Sequence, residues 1–345
     1  MSSQNEQRWA TRFAAVLRSL KRTGVGLCVA AAGTVALTGA QASAQAFPDQ
    51  PVKLIVPFTA GGATDVAARL LAEKLTPMLG QPVVVENRPG ASASVAATSV
   101  ARAAPNGYNI LVGSSTLASN AVVPGSTMNF DLLKDFEFIG EIARSDLIVV
   151  TSSKTGVTNL RGLLDLMRTQ RDKVQFGSAG VGSSGHLGGE LLKHKTGTSA
   201  LHIPYRGESV AVADLIGGQT TFQLCTPSSC ARLVQEGVLR AVAVTAKKRS
   251  SLLPNVPTMA EAGLPGVEAG PWWFLAAPKG TPGPIVDKLN ASLNAVLADP
   301  RYRTRLQELG MEVEPQTTPA AVRTELQAEM DKWRPVVKAA GITNN

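Results

Sequence analysis

Cysteine and histidine are both scarce in this 345-residue chain, with three of each. Cys28, Cys225 and Cys230 stand apart from His186, His194 and His202, and no Cys/His/Asp cluster has metal-ligand spacing. No metal or other cofactor is therefore expected. Aromatic residues make up 5% and charged residues 17% of the chain. The basic residues nowhere gather into the long, aromatic-interleaved face that a nucleic-acid partner needs. Beyond residue 39 no apolar stretch reaches the roughly 20 residues that cross a bilayer.

The N-terminus is patterned. Arg8, Arg12, Arg18, Lys21 and Arg22 precede an uncharged apolar run at 24–39, and Ala42-Ser43-Ala44 and Gln45-Ala46 follow. A basic n-region, an apolar h-region and an A-x-A site describe an export signal over 1–44, with cleavage after Ala44 or Ala46. Removing it takes away five bases and one acid, so +4 of the total +8 remains on the mature chain. Cys225 and Cys230 then reside where disulfides persist, and either pair or lie buried as two small apolar residues.

About 300 mature residues exceed what one core usually holds, which predicts two lobes. Short β-branched runs alternate with amphipathic stretches. Strands are expected at 52–58, 83–86 and 108–113, with helices at 65–79 and 94–104 between them. The βαβ pattern returns after a strand-rich stretch at 138–151, with a helix at 158–168 capped by Thr158. Strands follow at 174–178, 201–205, 221–225 and 239–245, with helices at 186–195 and 209–216. A strand at 272–277 and helices at 284–297, 302–309 and 319–340 close the chain. Parallel sheets of this kind bind ligands outside the carboxyl ends of their strands.

Three strand-to-helix loops are therefore the candidates for function. The first, Pro57 to Asp65, has paired glycines and a helix start that favours an anion, with Thr59 and Thr64 as hydroxyl donors. Asp65 would cap or pair with a base rather than face that anion. The second, Ser178 to His186, carries G-x-G-x-x-G at Gly180, Gly182 and Gly185, and Glu208 falls where a dinucleotide's ribose acid would be sought. An exported protein makes that cofactor a poor expectation, and the same backbone serves a smaller anion. The third is Gly113-Ser114-Ser115-Thr116, whose bland alternative is the cap of a short helix. Ser184 with His186 offers a hydrolase reading, although Ser184 lacks the G-x-S-x-G elbow. Trp272, Trp273 and Trp333 read as packing residues, with Trp273 the one nearer a cleft.

Across essentially its whole mature length the chain resembles the periplasmic receptors of tripartite tricarboxylate transporters, the Bug-type solute-binding proteins. The resemblance is carried by residues 48–58 (PDQPVKLIVPF), 61–65 (GGATD), 80–90 (GQPVVVENRPG), 104–108 (APNGY), 178–180 (SAG), 185–187 (GHL), 202–207 (HIPYRG), 243–245 (AVT) and 257–266 (PTMAEAGLPG). It implies a type II periplasmic-binding fold, an α/β Venus flytrap of two doubly wound lobes with the ligand cleft between them. One lobe would comprise 47–149 plus 271–345, the other 150–270. It also implies a periplasmic, monomeric, non-enzymatic protein that passes a small carboxylate ligand to membrane transporter subunits. A two-component sensor as the partner is the alternative. By the same resemblance Phe58, Thr59, Gly62 and Ala63 would grip one carboxylate opposite Ser178, Gly182 and Ser183. Ser114, Ser115 and Thr116 would face the variable end. The chain departs from many relatives at Leu224-Cys225-Thr226, where they carry Phe-Asp-Asn. Loss of that acid disfavours an amino-acid ligand against a plain or aromatic carboxylate.

Overall fold

The computed structural model describes residues 47–343, so the expected export signal lies outside the described residues. Runs such as Ile110-Leu111-Val112 are buried on both faces, as strands covered by helices on either side must be. They build a sheet in the order β11-β4-β10-β3-β1-β2. Here β1 is Val52–Val56, β2 Val83–Asn87, β3 Asn109–Ser114, β4 Phe136–Ser145, β10 Trp272–Pro278 and β11 Met311–Glu312. A second sheet runs β7-β6-β8-β5-β9, from β5 Ile148–Ser152, β6 Gln175–Ser178, β7 Leu201–Pro204, β8 Phe222–Cys225 and β9 Leu239–Val244.

Both sheets share one plan. Three parallel strands stand in the order second, first, third: β2-β1-β3 in one and β7-β6-β8 in the other. Beside the third lies an antiparallel strand that enters directly after the chain crosses from the other sheet, β10 in one and β5 in the other. The two crossings are the β4–β5 and β9–β10 connections. This is the type II periplasmic-binding arrangement of two lobes. The βαβ periodicity predicts the parallel strands. The strands β10 and β5 were expected at 272–277 and within 138–151, but not their antiparallel direction, because direction after a crossover is set by tertiary pairing.

Helices fill the faces: α1 Ala63–Leu79, α2 Ser94–Ala101, α3 Ser115–Ala121, α4 Leu160–Gln170, α5 Ser184–Thr196, α6 Glu208–Gly217, α7 Pro227–Gln235, α8 Gly283–Ala298, α9 Pro300–Gln307 and α10 Pro319–Ala340. The cap of α4 is Asn159, whose side chain accepts from Gly162 N–H, and not the expected Thr158. Helix α7 was not foreseen. Its Pro227-Ser228-Ser229 start resembles a turn, yet proline is well suited to a first helical position.

The last helix serves both lobes. Its Val322, Leu326 and Met330 join the core around Phe138 and Phe274, while Trp333 and Val337 join the core around Val149 and Phe176. The stretch 271–345, assigned whole to one lobe from sequence, is thus shared. Cys225 and Cys230 are bridged, with Cα atoms 6.5 Å apart, tying the end of β8 to the first turn of α7. That separation falls within the usual disulfide range.

Candidate functional site

The first loop leaves β1 and becomes α1 at Gly62, with Gly61 at φ +83°. Asp65 turns back under the loop. Its carboxylate accepts from Gly61 N–H at 3.0 Å, from Arg69 Nε and Nη2 at 2.9 Å each, and from Asn87 Nδ2 at 2.9 Å. Burial raises its proton affinity, but these donors outweigh burial and hold the carboxyl below its ordinary range. Pairing with a base agrees with the sequence reading. The consequence is that no side chain caps α1, so the first N–H groups of that helix keep no intramolecular partner.

The second loop is built around two imidazoles. Gly182 N–H donates to His186 Nδ1 at 3.0 Å, and Ser178 Oγ lies 2.6 Å from His202 Nε2 while also bonding Gly180 N–H. Ser183 is the N-cap of α5, its hydroxyl accepting from His186 N–H at 3.3 Å. The glycines of the motif each answer a local demand. Gly180 and Gly182 have φ of +123° and +76°. A Cβ at Gly185 would stand 2.7 Å from the Leu224 carbonyl, so α5 could not settle on β8.

Between the lobes these loops enclose a cavity of about 490 Å³ of non-protein space, counted out to its open mouth. Of the ten residues singled out from sequence, Phe58, Gly62, Ala63, Ser114, Thr116 and Ser183 line it. The other four do not. Thr59 pairs across the lobes with Ser209, Oγ1 to Oγ at 3.1 Å. Ser115 Oγ meets Ser184 Oγ at 3.4 Å and accepts from Trp272 N–H. The Ser178 hydroxyl is engaged by Gly180 and by His202 of β7, and the Gly182 N–H by His186, which leaves neither free for a ligand. Ser114 is different: its hydroxyl is buried on the cavity wall without any hydrogen-bond partner.

Sequence reasoning missed Glu208 and Thr226 as cavity residues and took Thr64 only as a donor of the first loop; Trp273 was foreseen near the cleft. Thr64 Oγ1 accepts from Trp273 Nε1–H at 2.8 Å, which fixes the indole edge in the wall. Glu208 starts α6 and Thr226 precedes α7. Both follow parallel strands of the second sheet. Applying the carboxyl-end rule to β7 and β8 as well as β6 would have found them.

The hydrolase dyad is not assembled. His186 directs Nδ1 to Gly182 N–H and has Nε2 3.9 Å from Glu190, while Ser184 Oγ faces Ser115. Among the described residues no three His, Cys, Asp or Glu side chains cluster as a metal site.

The tripartite tricarboxylate transporter family receptor profile matches residues 67–342. The chain belongs to this family. It is 34% identical over 320 residues to the protein BugT of Bordetella pertussis, covering 92% of this chain and 96% of that one. Among solved structures it resembles Rpa4515 of R. palustris with adipate, at TM-score 0.83 and 34% identity, covering 86% of this chain and 99% of the other. It also resembles MatC of Rhodopseudomonas palustris with bound malate, at TM-score 0.80 and 33% identity, covering 84% and 100%. Family members are periplasmic solute-binding proteins, and the chain is a solute-binding receptor of this Bug type. No helix among the described residues is long and apolar enough to cross a membrane.

Proposed function

We propose that the mature protein captures a small carboxylate in the cavity between its lobes, in the periplasm, and delivers it to the membrane subunits of a tripartite transporter. The lobes would be 47–149 with most of 271–345, and 150–270, closing by a hinge at the two crossings between sheets. The observation that carries this reading is the Ser114 hydroxyl. It is a buried donor left without a partner on a wall that also holds the uncapped start of α1 and the start of α5. Helix N-termini there carry partial positive charge and free N–H groups, which suit one carboxylate and require no basic side chain. The carboxylates named for the adipate- and malate-bound relatives support it.

Phe58, Gly62, Ala63, Thr116 and Ser183 would contact the ligand directly. Thr59, Ser115, Ser178 and Gly182 would act one layer back, holding the loops and the lobe contact. A thermal-shift screen tests the reading. A ligand at about 100 times its dissociation constant adds about 2.7 kcal/mol of apparent stability. A flat response to di- and tricarboxylates, amino acids, hydroxy acids and aromatic acids would sink it. Export is tested separately, by N-terminal sequencing of protein recovered from the periplasm.

A further inference from the structure

Among the described residues the cavity wall carries a single ionisable side chain, Glu208. Its carboxylate is held in place: Thr226 N–H donates to Oε2 at 3.1 Å and the Thr226 hydroxyl to Oε1 at 2.5 Å. Burial raises its pKa, the hydroxyls of Ser229 and Thr226 and the Thr226 N–H lower it, the net is upward, and no cationic group takes part. A carboxylate has about four acceptor positions, and the Thr226 and Ser229 donors leave at least one of them open at the wall.

Charge balance then limits the ligand. Each helix N-terminus contributes roughly half a positive charge, so the starts of α1 and α5 together match about one ligand carboxylate. Glu208 is met only by backbone and hydroxyl groups, standing in the first turn of α6 and accepting from Thr226 N–H at the start of α7, and no basic side chain among the described residues lines the cavity. A second ligand carboxylate beside it would be repelled. A ligand ammonium would neutralise it and use its free lone pairs.

Building on the carboxylate-capture reading of this cavity, we propose that Glu208 is a specificity residue that selects ligands bearing a protonated amine as well as a carboxylate, that is, amino acids. This reverses the preference read from the sequence. The acid absent at Cys225, which is buried in a disulfide, is supplied to the cavity from the start of α6. The competing explanation is a structural latch, in which Glu208 only ties α6 to Thr226 at the head of α7.

Calorimetry with matched ligand pairs separates the possibilities. The mature protein, refolded to remove bound solute, is titrated with leucine and 4-methylpentanoate, phenylalanine and 3-phenylpropanoate, and glutamate and glutarate. The amino member of at least one pair should bind roughly 10- to 100-fold more tightly, the worth of a charged hydrogen bond. Glu208→Gln should remove most of that advantage while leaving the des-amino partner bound as before or better. A latch would instead weaken both members alike and lower the thermal midpoint of the free protein. Equal lowering, or des-amino acids binding wild type without any preference for the amine, overturns the proposal and leaves carboxylate capture standing. Binding of neither member of any pair, nor of adipate, overturns both.

Discussion

The imidazoles of His186 and His202 stack with centroids 3.8 Å apart and planes 20° apart, one from α5 and one from β7. Each holds a different part of the second loop, His186 through Gly182 N–H and His202 through Ser178 Oγ. A protonated Nδ1 could no longer accept from Gly182, so this architecture requires a neutral His186.

A pH dependence follows with a definite sign. Burial, then Lys193, lowers the His186 pKa from 6.5 to about 3. Burial, then His186 and Lys193, lowers that of His202 to about 2. Glu190, 3.9 Å from His186 Nε2, does not reverse this. Below pH 6.5 the unfolded chain takes up protons that the native state refuses. Stability is therefore full above 6.5 and falls as pH drops toward the folded values, by up to about 1.4 kcal/mol per pH unit for each ring. Urea midpoints between pH 7.5 and 5 should fall, and His186→Gln or His202→Gln should flatten the slope. An equally steep slope in both variants would contradict the assignment.

Ser114→Ala separates binding from folding. The hydroxyl is buried and unpartnered in the free protein, so its removal should leave the thermal midpoint unchanged or slightly raised. Affinity for the carboxylate found in the screen should fall roughly 5- to 30-fold, the value of one hydrogen bond of about 1–2 kcal/mol. Unchanged affinity would show that the ligand leaves Ser114 unmet.

The parallel strands and the helices that connect them were legible in the sequence because periodicity and β-branching are local, whereas α7, after the last of them, was not. So was the site's general place, since carboxyl-end loops are a property of the parallel strands. The individual contacts were not. Ser178 and Gly182 look like ligand donors until His202 and His186, 24 and 4 residues away, are seen to engage them. Glu208 looked like a cofactor acid because spacing alone cannot say which cavity a side chain enters. The sharing of α10 between lobes likewise depends on where Trp333 packs, which no spacing in the sequence reveals.

Gly182→Ala tests the lobe contact. At φ +76° an alanine is strained by about 1–2 kcal/mol. Its Cβ would also stand 3.3 Å from the backbone N and Cα of Asn120 across the cleft. Closure should be impeded, lowering ligand affinity by at least about tenfold. Small-angle scattering with saturating ligand should then show a larger radius of gyration than wild type. Equal radii and affinities would mean that the lobes do not close on this contact.

The disulfide gives the last prediction. Cys225 and Cys230 enclose Thr226, the residue that fixes Glu208 at the cavity wall. A loop this short constrains the unfolded chain by about 2 kcal/mol in the loop-entropy account. Reduction, or Cys225→Ser with Cys230→Ser, should lower the unfolding free energy by about that amount. Because the constraint also holds the start of α7, the double variant should weaken ligand binding more than its stability loss alone requires. Calorimetry well below the melting temperature, where the variant is fully folded, isolates that effect. Wild-type affinity in the folded double variant would confine the bridge to stability and leave the placement of Thr226 to its hydrogen bonds with Glu208.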